Sequence, residues 1–141
     1  SKYVIGTNGE KMSKSKNNTI DIFLPDKELR KQIMRIQTQS LSVEDKKDPK
    51  ECNVFKIYSI IAAPDKTEKL KKSYISGGLG YGEAKEILFN EIIEKFQKER
   101  DLYNSLNTNI DKVESVLSDG AKKAREQAQI VLKRVRSKIG F

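Results

Sequence analysis

The side chains best suited to chemistry sit close together near the start of the chain, in Gly9-Glu10-Lys11-Met12-Ser13-Lys14-Ser15-Lys16-Asn17-Asn18-Thr19-Ile20. Lys11 and Lys14 offer compact ammonium charges on flexible stems. Ser13 and Ser15 offer hydroxyls beside them, and a loop adds its own backbone N–H groups. This set suits the holding of phosphates and the neutralising of charge that builds on them as a phosphate group departs. Met12 is the apolar residue of the run and reads as a peg that holds one loop conformation. A loop of this kind that closes only over bound ligand assembles its site at that moment.

Composition removes several other chemistries. The 141 residues contain no histidine, which excludes His-based acid–base catalysis, a Ser-His-Asp triad and most zinc sites within this chain. No metal-ligating set is expected. Cys52 is the single cysteine, so no internal disulfide forms, in keeping with a reducing cytoplasm. It reads as a small apolar residue near a helix start. The formal charge of +8 and a sequence pI near 9.5 favour a polyanionic partner, although a solvated Lys-rich surface gives the same numbers. No apolar run approaches the roughly 20 residues that span a bilayer. No signal peptide is expected, and no membrane partner. Opening on Ser1 rather than Met, the chain reads as a piece of a longer protein.

The elements that must position the Lys/Ser loop follow from turn signals and apolar spacing. Tyr3-Val4-Ile5 reads as the end of a strand and Gly6-Thr7-Asn8-Gly9 as a turn, followed by a loop from Glu10 to Thr19. Ile20 to Leu24 is a short apolar run of open type. Pro25, with Asp26 and Glu28 after it, starts a helix whose apolar face is Leu29, Ile33 and Ile36, expected to end near Thr38. Ser40 to Lys50 is polar, with a turn at Asp48-Pro49. A second helix fits Cys52 to Ala62, with Val54, Phe55, Tyr58 and Ile61 on one face. Pro64 opens a third, ending near Ser76. The break Gly77-Gly78-Leu79-Gly80-Tyr81-Gly82 lacks the Gly-Lys-Ser/Thr ending of a Walker A loop and reads as a connector.

A long helix from Glu83 to about Leu106 carries Leu88, Ile92, Phe96 and Tyr103. After capping residues at Asn107 to Asn109, a short helix on Ile110, Val113 and Leu117 is expected to stop near Asp119-Gly120. The last helix places Ala121, Ala124, Ala128, Val131, Val135 and Ile139 in one stripe, read as core packing, and Gly140 ends it. Its opposite face carries Lys122, Arg125, Lys133 and Arg136. The expected fold is all-α: a helical bundle preceded by a short strand and a loop.

Lys11-Met12-Ser13-Lys14-Ser15 matches the KMSKS signature of class I aminoacyl-tRNA synthetases, set between a β-prone run and a helical domain. The longer chain resembles the tryptophan enzymes of that class. The features are the pair Asn17-Asn18 after the signature, the helix Leu29-Arg30-Lys31-Gln32-Ile33-Met34-Arg35, and Cys52-Asn53-Val54-Phe55 after Asp48-Pro49. Gly80-Tyr81-Gly82 with Lys85 adds to them, as does the tail from Asp119-Gly120-Ala121 to Ile139-Gly140-Phe141. The tyrosine enzymes are the near alternative, and a free-standing basic helical RNA-binding module is the other.

The resemblance implies that residues 1–24 are the end of a Rossmann-like catalytic domain and residues 25–141 a helical anticodon-binding domain. It implies Lys14 as principal phosphate ligand, Lys11 as second, and Met12, Ser13 and Ser15 as the rest of the ATP-binding loop. ATP is then a substrate with Mg2+ on its phosphates, and tRNA(Trp) and L-tryptophan are partners. L-tryptophan would be bound by an upstream domain that also carries a His-Ile-Gly-His motif and the dimer interface. The isolated piece is expected to be inactive and monomeric, and its parent a cytoplasmic homodimer. Anticodon bases are read as unstacked nucleotides, and Cys52, Asn53, Lys56 and Tyr81 are the candidate contacts.

Overall fold

The computed structural model describes residues 3–140, and the chain divides into two compact units, the first ending at Arg100 and the second beginning at Asp101. Among the described residues there are six α-helices and no strand, as the all-α expectation requires. The β-prone start survives as a single antiparallel bridge, Ile5 with Lys11.

The first unit is built on α1 (Asp26–Met34), α2 (Asn53–Ile61), α3 (Pro64–Ser76) and α4 (Tyr81–Lys95). Helix α4 packs against α1 and α2, and α3 packs against α2. The apolar positions spaced along the sequence meet at the centre. Leu29, Ile33 and Ile36 lie against Val54 and Tyr58, with Leu88 and Ile92 closing from α4, all buried. Each such side chain contributes roughly 1.5–3 kcal/mol on burial. Polar ties cross the helix pairs. Lys66 of α3 bridges Glu91 and Glu94 of α4 at 2.9 and 3.0 Å, and Arg30 of α1 pairs with Glu86 of α4. Lys85 of α4 donates to the Met34 carbonyl at 3.0 Å, which satisfies an orphan acceptor at the end of α1.

Pro64 begins α3 as its fixed φ predicts, and Ser76 ends it. Helix α1 stops at Met34, short of Thr38. Arg35 and Ile36 donate to carbonyls three residues back, and the Gln37 N–H leaves the helix for the Thr7 carbonyl at 2.8 Å. A tertiary hydrogen bond thus replaces the last intrahelical ones. The long helix expected from Glu83 begins at Tyr81 and is divided at Phe96, whose φ of −104° and ψ of 17° depart from the helix while its ring packs on the core. Helix α5 (Gln97–Thr108) follows.

In the second unit the two helices expected around Gly120 are one, α6 (Ile110–Ile139), 30 residues long. Asn109 caps it, its side chain accepting from the Lys112 N–H at 3.3 Å, and Gly140 closes it at φ 86°. Gly120 does not adopt a positive φ, so it stays helical at the usual interior cost of about 0.5–1 kcal/mol. The expectation of core packing is corrected: Ala121, Ala124, Ala128, Val131, Val135 and Ile139 are all exposed.

Candidate functional site

The Lys/Ser loop is built on a short frame. The Met12 N–H donates to Val4 O at 2.9 Å and the Gly6 N–H to Glu10 O at 2.7 Å, which fixes the two sides of the turn. Residues Lys14–Lys16 form one 3-10 turn, closed by Asn17 at φ 51°, a left-handed conformation that asparagine tolerates. Lys11, Lys14 and Ser15 are exposed, and Met12 and Ser13 are half-buried. The Ser13 and Ser15 hydroxyl oxygens lie 2.9 Å apart, so the two hydroxyls share one hydrogen bond and face one region.

The three lysines of the loop are not equivalent. The Lys16 ammonium lies 2.8 Å from Glu10 and is neutralised by it. The hydrogen bond and charge of Lys16, with help from Asn8, hold the Glu10 carboxyl below its ordinary range. Lys11 and Lys14 have no side-chain hydrogen bond or ion pair among the described residues, so their charges remain available to a ligand. Glu10 thereby sets Lys16, paired within the loop, apart from Lys11 and Lys14, which have no such partner among the described residues.

Asn18 is the residue that sequence reasoning passed over as loop filler. Its side chain is buried at 2% exposure, at the centre of the loop. The nearest sequence signal was its place in the Asn17-Asn18 pair.

The candidate nucleotide contacts fall into different settings. Cys52 is buried, with its thiol 3.3 Å from the Tyr74 hydroxyl, and so serves packing rather than a surface contact. Asn53 is half-buried and donates to Gln37 O at 3.0 Å, with its carboxamide against Gly9 of the loop. Gly9 has φ 81°, and a β-carbon there would lie 2.9 Å from the Asn53 side chain. Lys56 is half-buried on α2. Tyr81 stacks edge-on against Tyr74 at 6.5 Å between ring centroids, and the Lys47 ammonium lies 5.4 Å from the Tyr81 ring centroid. Burial, then the neighbouring Cys52, pushes the Tyr81 hydroxyl above its ordinary pKa. The structure therefore brings Cys52 and Tyr81 together around Tyr74, joins Asn53 to the Lys/Ser loop, and leaves Lys56 apart.

Lys47 was read as part of a polar linker, yet it is 3% exposed. Its ammonium donates to the carbonyls of Ser42, Val43 and Asp45 at 2.8, 3.2 and 2.9 Å and so organises the segment beside Tyr81. Its backbone N–H donates to the Tyr74 carbonyl at 2.8 Å, a partner distant in sequence that draws it inward.

Among the described residues no group of three His, Cys, Asp or Glu side chains is placed to hold a metal ion, and no helix is long and apolar enough to cross a membrane.

Residues 1–97 match the family described as tRNA synthetases class I (W and Y). The chain belongs to that family. It is 43% identical over 138 residues to a tryptophan–tRNA ligase of Rhodopirellula baltica, covering 98% of this chain and 43% of the relative. A tryptophan–tRNA ligase of Fusobacterium nucleatum is 42% identical over 98% of the chain and 42% of its own length. The crystal structure of a tryptophanyl-tRNA synthetase from Campylobacter jejuni, complexed with ADP and tryptophan, superposes with a TM-score of 0.95 at 41% identity. The match covers 99% of this chain and 44% of that one. The chain thus spans less than half the length of these family members, and its resemblance to their tryptophan branch runs through nearly all of it.

Proposed function

We propose that this chain is the C-terminal part of a cytoplasmic tryptophan–tRNA ligase, in which Lys11 and Lys14 hold the phosphates of ATP during formation of tryptophanyl-adenylate. In that step a carboxylate oxygen of tryptophan attacks the α-phosphorus, the bond to the β-phosphate breaks, and pyrophosphate leaves. The observation that carries the reading is the division of the three loop lysines. Lys16 is held by Glu10, while Lys11 and Lys14 keep unneutralised charges beside the Ser13 and Ser15 hydroxyls. Charges placed in advance where negative charge develops lower the barrier without reorganising at the moment of reaction. Mg2+ enters on the ATP phosphates.

In this reading residues 1–24 close the catalytic domain and residues 25–141 form the domain that meets the anticodon region of tRNA(Trp). Asn53, Lys56 and Tyr81 are the candidate contacts. The hydrogen bonds from the Gln37 N–H to the Thr7 carbonyl and from the Asn53 side chain to the Gln37 carbonyl tie the loop to the helices. The amino-acid pocket and the dimer contacts belong to the part of the enzyme upstream, so this chain alone is inactive and monomeric.

Lys14→Ala in the full-length enzyme should lower the rate of ATP–pyrophosphate exchange by about 10²–10³-fold, the usual effect of removing one such charge-stabilising donor. An undiminished rate in that variant would remove the basis of the assignment. Lys56→Ala should raise the KM for tRNA in aminoacylation and leave pyrophosphate exchange unchanged. A parallel loss in both steps would make Lys56 structural. The isolated chain should show no pyrophosphate exchange.

A further inference from the structure

We infer that Asn18 is a positioning residue for adenylate formation: its buried carboxamide clamps both sides of the phosphate loop and sets where Lys11 and Lys14 stand. The inference rests on the proposed role of those lysines.

Both polar atoms of the Asn18 side chain and its backbone carbonyl are engaged. Its side-chain oxygen accepts the Ser13 N–H at 2.8 Å. Its side-chain nitrogen donates to the Asn8 Oδ1 at 2.7 Å and to the Lys11 carbonyl at 3.2 Å. Its backbone carbonyl accepts the Thr7 N–H at 2.9 Å and closes the base of the loop. The carboxamide orientation is fixed by its partners, since a backbone N–H requires the oxygen and a backbone carbonyl requires the nitrogen. The two backbone groups it grips belong to Lys11 and to Ser13, the residue before Lys14. The carboxamide therefore spans the signature from inside while both lysine side chains remain outside it.

The space around this side chain is fully used. A β-carbon on Gly6 would collide with the Asn18 carboxamide and its backbone carbonyl, so Gly6 is what admits the clamp. Gln is longer by one methylene in a filled site, and Ser cannot reach both sides. Asp has the right shape but no N–H to give, and it would set a carboxylate oxygen against the two acceptors that now receive those hydrogen bonds. The clamp also continues outward. Thr7 O accepts the Gln37 N–H at 2.8 Å, and Gln37 O accepts from Asn53 at 3.0 Å, so the loop base is held to the start of α2. A buried network in which every member is satisfied holds a single geometry, and small misplacements of charge at a reacting centre are costly in rate.

The test uses Asn18→Asp in the full-length ligase. Exchange of ATP and pyrophosphate should fall on the order of 10–100-fold in kcat, with the KM for tryptophan close to wild type. The Lys14→Ala background supplies the decisive comparison. If Asn18 acts through the loop lysines, adding Asn18→Asp to Lys14→Ala should cost clearly less than Asn18→Asp costs alone, because groups acting as a unit are non-additive and only Lys11 is left to misplace. Multiplicative losses, or a wild-type kcat for Asn18→Asp, overturn the inference. Should Asn18→Asp lower the thermal midpoint, Asn8→Ala removes one acceptor of the same clamp from a less buried position. It should give a smaller kcat loss, again reduced in the Lys14→Ala background, and its full additivity there would also overturn the inference. A fully active Lys14→Ala defeats the phosphate-loop reading and this inference together. An inactive Lys14→Ala beside a fully active Asn18→Asp defeats this inference alone.

Discussion

Helices α4 and α6 carry the same kind of sequence and meet different fates. Both place apolar residues three and four apart, and both are followed by basic residues near their ends. On α4, Ala84, Leu88 and Ile92 are almost wholly buried between α1 and α2. On α6, Val131, Val135 and Ile139 are 47%, 45% and 64% exposed, and none of the 30 residues is buried. Periodicity therefore states that a helix has an apolar face, but not what covers it. The cover on α4 is chemically specified. Arg30 of α1 pairs with Glu86, Lys85 reaches the end of α1, and Lys66 of α3 reaches Glu91 and Glu94. The side-chain ties along α6 include the Asn109 cap and the Asp119–Lys122 pair at 3.7 Å, both local. Such local terms are worth a few tenths to about 1 kcal/mol each.

The largest expected effect breaks the core on one side of this comparison and not on the other. Leu88→Ala should destabilise the chain by about 3 kcal/mol in denaturant unfolding, through lost burial and the cavity left behind. Val135→Ala on α6 should change stability by no more than about 0.5 kcal/mol, as exposed substitutions do. Equal losses would mean that the α6 face is covered in solution.

Next in size is Lys47, the polar counterpart of Leu88. Lys47→Met keeps the stem and removes an ammonium that three carbonyls share. Leaving buried acceptors unmet should destabilise the first unit by about 2 kcal/mol. It should also alter the near-ultraviolet signal of Tyr81, whose ring lies beside the ammonium. A smaller expression of the same contrast is kinetic. Amides of α4 should exchange with solvent only through large openings, and those of α6 through local fraying, so deuterium uptake should be orders of magnitude faster across residues 110–139.

What the sequence made legible follows from the range of each interaction. The faces of α1, α2 and α4 could be read because helical spacing is a local rule, and Pro64 and Gly140 mark ends by their own backbone preferences. The proposed phosphate role of the loop rests on five consecutive residue types. The early end of α1 was not, because the hydrogen bond that takes Gln37 out of the helix comes from Thr7, 30 positions away. Lys47 was hidden for the same reason, since nothing in its polar neighbourhood points to Tyr74. Asn18 lies among lysines and serines of similar polarity, and only the paired reach to Asn8, Lys11 and Ser13 separates it from them. Gly120 misled in the opposite direction: the signal suggested a break, yet Gly120 keeps a helical backbone inside α6.

The smallest expected effect concerns pH. The Tyr74 hydroxyl is buried and hydrogen-bonded by the Cys52 thiol, and burial first, then Cys52, raises its pKa well above the ordinary tyrosine value. In the unfolded chain Tyr74 titrates near the ordinary value of about 10. Below that pH both states keep the proton, and the contribution to stability is fully present. As pH rises past about 10 the unfolded chain releases the proton and the folded one retains it, so the unfolded state binds fewer protons and stability falls. Denaturant midpoints measured from pH 8 to 11 should be level at first and then decline, and Tyr74→Phe should flatten the decline. Because Tyr74 belongs to the core that α4 closes, the loss should register in probes of the first unit. An unchanged slope in Tyr74→Phe would assign the alkaline loss to other groups instead, such as Lys66, whose pKa Glu91 and Glu94 raise so that the unfolded chain releases its proton first.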